Sequence, residues 1–157
     1  MITTILSLAC LALLAGMLTA CALKYGVPAM VSDVYYQLEA DGRRGWAFSV
    51  VLAVVGMVMM ACLLDTGKGI QAMAFLGCGS MVFVALAPNY TDTGTYLVHK
   101  SAATIAAIGC VGWCLSACWW PTVAVLAAYL VLGIRKHPWY WAETAAMADV
   151  FITYFIQ

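Results

Sequence analysis

Residues 46–64 read WAFSVVLAVVGMVMMACLL, a stretch without a charged side chain. A transmembrane helix needs about 20 apolar residues, because the hydrocarbon layer is about 30 Å thick and a helix rises about 1.5 Å per residue. This stretch has the length and the composition that a crossing requires. It therefore predicts a membrane-spanning α-helix, and similar stretches elsewhere determine how often the chain crosses the bilayer.

The composition of the whole chain agrees with this interpretation. Of its 157 residues, 66% are hydrophobic and 9% are charged, whereas a soluble domain is roughly 45–50% apolar and about 25% charged. The net charge is zero, so no basic surface is expected to attract nucleic acid. Soluble proteins and nucleic-acid-binding proteins are excluded, and the lipid bilayer is the expected surrounding of the chain.

Charged residues, prolines and glycines divide the chain into six apolar runs, which we treat as a single transmembrane domain over residues 1–157. A helix from 96 to 134 would be about twice as long as the bilayer is thick, so we place a turn before Pro121. The sequence predicts an all-α integral membrane bundle with six transmembrane helices, or five if the last run lies in the interface. The predicted helices cover about residues 2–23, 46–64, 70–87, 96–118, 121–134 and 139–157, with a cytoplasmic loop at 24–45.

The basic residues predict the orientation of the bundle. With six crossings, all the Lys and Arg residues except Lys68 fall on the side of the first, third and fifth connections. Cytoplasmic loops are enriched in Lys and Arg. We therefore expect both termini outside and the larger loops in the cytoplasm, in the inner (plasma) membrane of a bacterium. With five crossings the C-terminus would lie inside.

The first run contains Leu18, Thr19, Ala20 and Cys21, a sequence that resembles a bacterial lipoprotein cleavage box. A signal peptide requires a positively charged segment before its apolar run, and residues 1–4 contain none. We therefore expect the first run to remain in the protein as a helix.

The first loop also contains a predicted short helix. Ser32 or Asp33 is a residue type that caps a helix N-terminus, and Val34, Tyr35 and Leu38 would then face the lipid headgroups. Such a segment either anchors the loop to the membrane surface or covers the bundle as a lid.

Asp149 is the most informative single residue of the sequence. In a helix over 139–157 it lies near the bilayer centre, where an acid costs about 2.5–3.5 kcal/mol. Thr153 and Tyr129 are the expected hydrogen-bond partners. An acid at this depth marks a proton or substrate path, or else it is only hydrogen-bonded and fixes the register of its helix.

The remaining polar residues of the predicted helices lie mostly in the cytoplasmic half, which predicts a polar cavity open to the cytoplasm. Glu143 would stand at its mouth, and His99 is the residue type that changes charge near neutral pH. Two histidines and a carboxylate can hold catalytic zinc, so His99, His137 and Asp92 form a candidate metal site. Without that site, no cofactor is expected.

Cys110, Cys114 and Cys118 recur every four residues and so form one stripe of the fourth helix. Small residues let a neighbouring helix approach closely. A packing seam is the favoured interpretation, and a soft-metal site for Cu(I) is the alternative.

Ala87 and Pro88, a polar loop, and His99 followed by Ala102 and Ala103 resemble a pattern in FRAG/DRAM-type and related small multi-helix membrane proteins of unknown function. This resemblance covers about 20 residues and implies six helices and no particular reaction. The chain is also similar to the membrane hydrolases that include alkaline ceramidases. Their pattern requires three histidines and this sequence has two.

Three functions remain open from the sequence. The favoured hypothesis is a membrane protein, more probable as a non-enzyme, that binds or moves a small solute, a proton or a lipid headgroup through Asp149, Glu143, His99 and Tyr129. The alternatives are a metal-dependent lipid hydrolase using His99, His137, Asp92 and Glu143, and a structural or assembly subunit of a membrane complex. A narrow six-helix bundle is also expected to form a homo-oligomer or to bind a membrane partner.

Overall fold

The computed structural model describes residues 1–132 and 135–157, and in these residues the fold is all-α. Residues 133 and 134, the end of the predicted helix 121–134, lie outside the described part. A 3-10 turn, Val31–Asp33, precedes the second helix. The α-helices are α1 (Ile2–Tyr25), α2 (Val34–Ala40), α3 (Gly45–Asp65), α4 (Gln71–Leu86), α5 (Thr93–Ala117), α6 (Trp119–Leu132) and α7 (Pro138–Ile156).

The long helices run antiparallel to their neighbours in the chain, so the bundle has two distinct ends. At the end that we call the α2 end, Lys24 Nζ lies 2.7 Å from Asp41 Oδ2, and this hydrogen bond lowers the pKa of the Asp41 carboxyl. The start of α7 joins the same end, because the Tyr140 N–H donates to the Ala29 carbonyl at 3.0 Å.

The opposite end, which we call the terminal end, brings together both chain termini and the turn between α3 and α4. The Cys62 thiol at the end of α3 lies 3.4 Å from the Thr3 carbonyl of α1. The indole N–H of Trp113 donates to the Lys68 carbonyl at 3.0 Å, and the Ile70 N–H donates to Ser116 Oγ at 2.9 Å. These bonds fix the turn between α3 and α4 against the end of α5.

Three helices, α1, α3 and α5, are long and apolar enough to cross a membrane. The shorter apolar helices α4 and α6 have 16 and 14 residues, and at about 1.5 Å per residue they are about 24 and 21 Å long. Helix α7 has 19 residues but carries Glu143 and Asp149, and these acids make it less apolar.

The core of the bundle forms where α4 crosses α5 at glycine. A Cβ atom added to Gly77 would lie 2.6 Å from the Cys110 backbone nitrogen, and one added to Gly109 would lie 2.6 Å from the Gly77 Cα. The two backbones are therefore in direct contact. Residues from five helices pack around this crossing, among them Leu14, Leu18, Phe48, Leu52, Val55, Met59, Leu63, Ala74, Cys78, Trp113, Cys114, Val150 and Phe151.

Two helices begin earlier than the sequence predicts. Helix α5 starts at Thr93 rather than 96, because the Asp92 side chain accepts a hydrogen bond from the Gly94 N–H and caps the helix. Helix α6 starts at Trp119, after Cys118 adopts an extended conformation. Pro121 is then the third residue of α6, where its missing N–H has no helical partner to lose.

The predicted short helix of the first loop is present as α2, with two differences. Val34 is fully buried in the core instead of facing headgroups. The Asp33 side chain accepts from the Met30 N–H at 3.0 Å and makes no capping bond to α2. The 3-10 turn therefore uses the carboxylate that was expected to cap the helix.

Helix α6 lies at the edge of the bundle. Pro121 is the buried residue of its described part, and the other apolar side chains of the helix are largely exposed. The Tyr129 hydroxyl donates to the Pro138 carbonyl at 3.0 Å, which places the later part of α6 beside the start of α7. Helix α6 is thus attached mainly to its neighbours in the chain.

The crossing of α4 and α5 predicts a large difference between two glycines of α4. Gly77→Ala should destabilise the protein by about 1–3 kcal/mol, because the added methyl group overlaps the backbone of α5. The thermal midpoint at which the detergent-purified protein stops eluting as a single species measures this loss.

Gly79→Ala is the matched control, because a Cβ at Gly79 meets nothing within 4 Å. Its midpoint should equal or exceed that of the parent protein. Equal midpoints for the Gly77 and Gly79 variants would show that the helices do not touch at Gly77.

Candidate functional site

Asp149 is buried inside the bundle near the middle of α7. It lies about 16 Å along the helix from Pro138 and about 10 Å from Ile156, and it is 2% exposed. The Thr153 hydroxyl donates to Asp149 Oδ1 at 3.4 Å, which is long for such a bond. In the described residues the one ion pair joins Lys24 to Asp41, so no basic side chain there pairs with Asp149.

One of the two predicted hydrogen-bond partners of Asp149 is present and the other is not. Thr153 is a partner as expected, but the Tyr129 hydroxyl donates to the Pro138 carbonyl and not to Asp149. The reason is that Tyr129 lies on the peripheral helix α6, near its end at α7. The Cys114 thiol of α5 lies next to Asp149 and Thr153 instead, so the acid is enclosed by α5 and its own helix.

The stripe of cysteines on α5 is used inside the chain. Cys110 contacts Cys78 of α4 beside the glycine crossing, Cys114 faces Asp149, and Cys118 ends the helix. All seven cysteines are free thiols. The packing seam that the sequence indicates is therefore occupied by α4 at Cys110 and by α7 at Cys114, both in the same chain.

A second polar cluster, which we call the polar junction, consists of Asp33, Tyr90, His99 and Glu143 at the α2 end. The Tyr90 hydroxyl donates to Asp33 Oδ1. Burial and the Asp33 carboxylate raise the pKa of the Tyr90 hydroxyl above its ordinary value, so this group remains a donor at neutral pH. The Tyr90 ring packs on the His99 ring, with 5.0 Å between centroids.

His99 is buried and its orientation is determined by one hydrogen bond. Its Nδ1 lies 2.8 Å from the Ala87 carbonyl oxygen. Because a carbonyl only accepts, Nδ1 carries the hydrogen. Nε2 is then the acceptor nitrogen of the neutral ring.

Glu143 ties α7 to the first loop. Its Oε2 accepts from the Val31 N–H at 2.7 Å, and the neighbouring Tyr140 N–H donates to the Ala29 carbonyl. Glu143 and Asp149 are about 9 Å apart along α7. Glu143 was expected at the mouth of an open cavity. In the structure it instead holds the segment 26–44 against the bundle.

The third connection contributes contacts that the sequence did not indicate. The Tyr36 hydroxyl of α2 donates to Asn89 Oδ1 at 3.1 Å and accepts from the Thr91 N–H at 3.1 Å. The Tyr36 ring also meets the Tyr90 ring edge to face. The sequence does show tyrosines clustered on α2 and a polar loop in the third connection. The two segments are too far apart in the chain for their spacing to predict that they meet.

The three candidate zinc ligands are not brought together. His99 faces Ala87 and Tyr90, Asp92 caps α5, and His137 precedes α7 in a left-handed conformation. Across residues 1–132 and 135–157, no group of three His, Cys, Asp or Glu side chains has the arrangement to hold a metal ion. The three side chains are separated because each has a different place in the fold: His99 lies within α5, Asp92 caps that helix, and His137 precedes α7.

A shallow cleft of about 350 Å³ opens at the terminal end, beside the last turn of α7. Tyr154 and Phe155 line it, next to the buried Thr153. Its polar lining residues are Thr3, Thr4, Asp65, Thr66, Lys68 and Gln157.

Comparisons with known protein families, with characterised proteins and with solved structures found no match to this chain. The resemblance to FRAG/DRAM-type proteins therefore stays an expectation from the sequence.

The polar junction predicts that one hydroxyl holds the first loop in place. Tyr90→Phe removes the donor to Asp33, and a hydrogen bond to a charged group contributes about 1.5–3 kcal/mol. Amide hydrogen exchange across residues 26–44 should accelerate severalfold, as measured by mass spectrometry.

Tyr96→Phe is the control, because the Tyr96 hydroxyl contacts Lys100 of its own helix and not the loop. Exchange across residues 26–44 should be unchanged in that variant. Equal exchange in both variants would contradict a role for Tyr90 in closing the α2 end.

Proposed function

We propose that the chain is a six-span integral membrane protein with both termini outside. The antiparallel order of α1, α3, α4, α5, α6 and α7 supports this topology. Every Lys and Arg residue except Lys68 belongs to a segment at the α2 end, the pattern of a cytoplasmic face. Trp46 and Trp139 at this end and Trp119 and Trp120 at the other have the positions of interfacial aromatic belts.

The short helices α4 and α6 are compatible with a crossing. Their flanking residues Ile70, Ala87 and Cys118 are apolar and extend the hydrophobic length of the chain. A shorter hydrophobic length is accommodated by local thinning of the bilayer, at a fraction of a kcal/mol per Å. In this proposal α7 also crosses the membrane. Its buried acid, Asp149, is enclosed by the core of the bundle and therefore does not prevent the crossing.

The activity we propose is proton movement, alone or coupled to a small solute, with Asp149 as the intramembrane acid. The single observation that carries it is the burial of Asp149 at mid-helix without a basic partner among the described residues. An acid in the membrane interior is costly, and in membrane proteins such acids typically serve in proton relays and ion paths.

The path has two parts on opposite sides of Asp149. Toward the outside, the proposed path runs from Asp149 through its partner Thr153 to the cleft that the next two residues, Tyr154 and Phe155, line. Toward the cytoplasm, Glu143 lies about 9 Å from Asp149 along α7, under the segment 26–44. In this proposal the structure represents a form closed at the cytoplasmic side, and the first loop acts as the lid.

The alternatives have less support. A zinc-dependent lipid hydrolase would need His99, His137 and Asp92 to converge, and they occupy separate positions. An assembly subunit that used the small-residue seam of α5 would need that seam to be free, and α4 packs on it at Cys110 while α7 packs on it at Cys114. A homo-oligomer or a membrane partner is still proposed, since the exposed face of α6 leaves room for one.

The test is proton flux in vesicles reconstituted with the purified protein and loaded with a pH-sensitive dye. Under an applied membrane potential, the parent protein should admit protons faster than empty vesicles do. Asp149→Asn should reduce the rate to that of empty vesicles, because the amide has the size of the acid but cannot carry the proton. The variant should elute like the parent protein.

Glu39→Gln is the matched control. Glu39 accepts from the Gly45 N–H at 3.1 Å, and glutamine keeps an oxygen for that bond while it removes a charge at the α2 end. This variant should keep the parental rate. Parental flux in Asp149→Asn, or no flux in the parent protein, would refute the proposed function.

A further inference from the structure

A second cleft, of about 500 Å³, lies where α6 meets α7 at the α2 end. Leu132, Arg135, Lys136 and Trp141 line it. We call it the basic cleft. It is on the outside of the bundle, away from Asp149, and neither the proposed proton path nor the polar junction uses any of its residues.

The charge of the basic cleft is of one sign. Both Arg135 and Lys136 are exposed, and within the described part of the chain neither forms an ion pair. The acid nearest to them in the sequence is Glu143, and its carboxylate is turned to the Val31 N–H. Two adjacent cations without an acid among the lining residues favour an anionic ligand.

The walls of the basic cleft are apolar and continue along the outside of α6. Leu132 and the Trp141 ring form the cleft wall. Val123, Leu126 and Leu130, which recur on one face of α6, are 49%, 57% and 66% exposed. A ligand that satisfies both surfaces must carry a compact negative charge on a long apolar chain. A free anion would leave the apolar strip uncovered.

We propose that the basic cleft binds an anionic glycerophospholipid. The phosphate contacts Arg135 and Lys136, the Trp141 indole lies at the level of the glycerol ester groups, and one acyl chain follows the exposed side of α6. Interfacial tryptophan and cytoplasmic basic residues have these preferences in membrane proteins. The inference depends on the membrane placement proposed above but not on the proton activity.

The experiment measures the lipid retained by the detergent-purified protein in native mass spectrometry. Equal amounts of phosphatidylglycerol and phosphatidylcholine are supplied. The parent protein should retain phosphatidylglycerol preferentially. The double variant Arg135→Gln with Lys136→Gln should lose this preference by about thirtyfold, since the two basic residues near an anionic headgroup together contribute about 2 kcal/mol.

The charge-matched control is Arg43→Gln with Arg44→Gln, a second exposed basic pair at the α2 end that does not line the cleft. It should keep the preference for phosphatidylglycerol. Trp141→Ala should weaken retention, whereas Trp46→Ala, at the other basic pair, should not. Equal losses from the two charge variants would indicate diffuse attraction to the charged surface and would overturn the site.

Two further outcomes are decisive. Glycerol 3-phosphate, which has the headgroup charge but no acyl chain, should not displace the lipid, and displacement would overturn the role of α6. Asp149→Asn should retain the lipid as the parent protein does. Lipid retention without proton flux would leave the basic cleft intact while it refuted the proton proposal, so the two failures are distinguishable.

Discussion

The contact between the backbones of α4 and α5 at Gly77 and Gly109 is the constraint on which the bundle depends. It places α5 close enough to α4 for Trp113 to reach the Lys68 carbonyl in the turn that begins α4. The same approach brings Cys110 against Cys78 and directs Cys114 toward α7. A side chain larger than hydrogen at this crossing would move α5, and with it the wall that encloses Asp149.

Much of the secondary structure follows from the sequence, because apolar runs bounded by Pro, Gly and charged residues have few other folds available. The all-α class and the short helix of the first loop were predictable in this way. The starts of α5 and α6 were misplaced by two or three residues, since Asp92 capping and the extended Cys118 are local choices that hydropathy does not report. Three helices are recognisable as candidate spans by their length and composition.

The candidate site was also predictable where it depends on neighbours along the chain, and not where it depends on tertiary packing. The burial of Asp149 and its bond to Thr153 were predictable, because both residues lie on one helix a single turn apart. The polar junction was only partly predictable: the polar residues were expected at one end, but Asp33 and Tyr90 are 57 positions apart and meet only through tertiary packing. Tyr129 was expected to bond to Asp149, and this expectation is wrong. The rotation of α6 about its axis determines where Tyr129 points, and that rotation depends on packing that the sequence does not reveal.

The weak attachment of α6 to the bundle affects the order in which the protein unfolds. A helix that buries little against the bundle adds little to its cooperativity, so α6 belongs to the least stable unfolding unit of the chain. Its departure would leave the glycine crossing and the core of α1, α3, α4, α5 and α7 in place. A partly open form, in which α6 has separated from an otherwise intact bundle, is therefore expected between the native bundle and the unfolded chain.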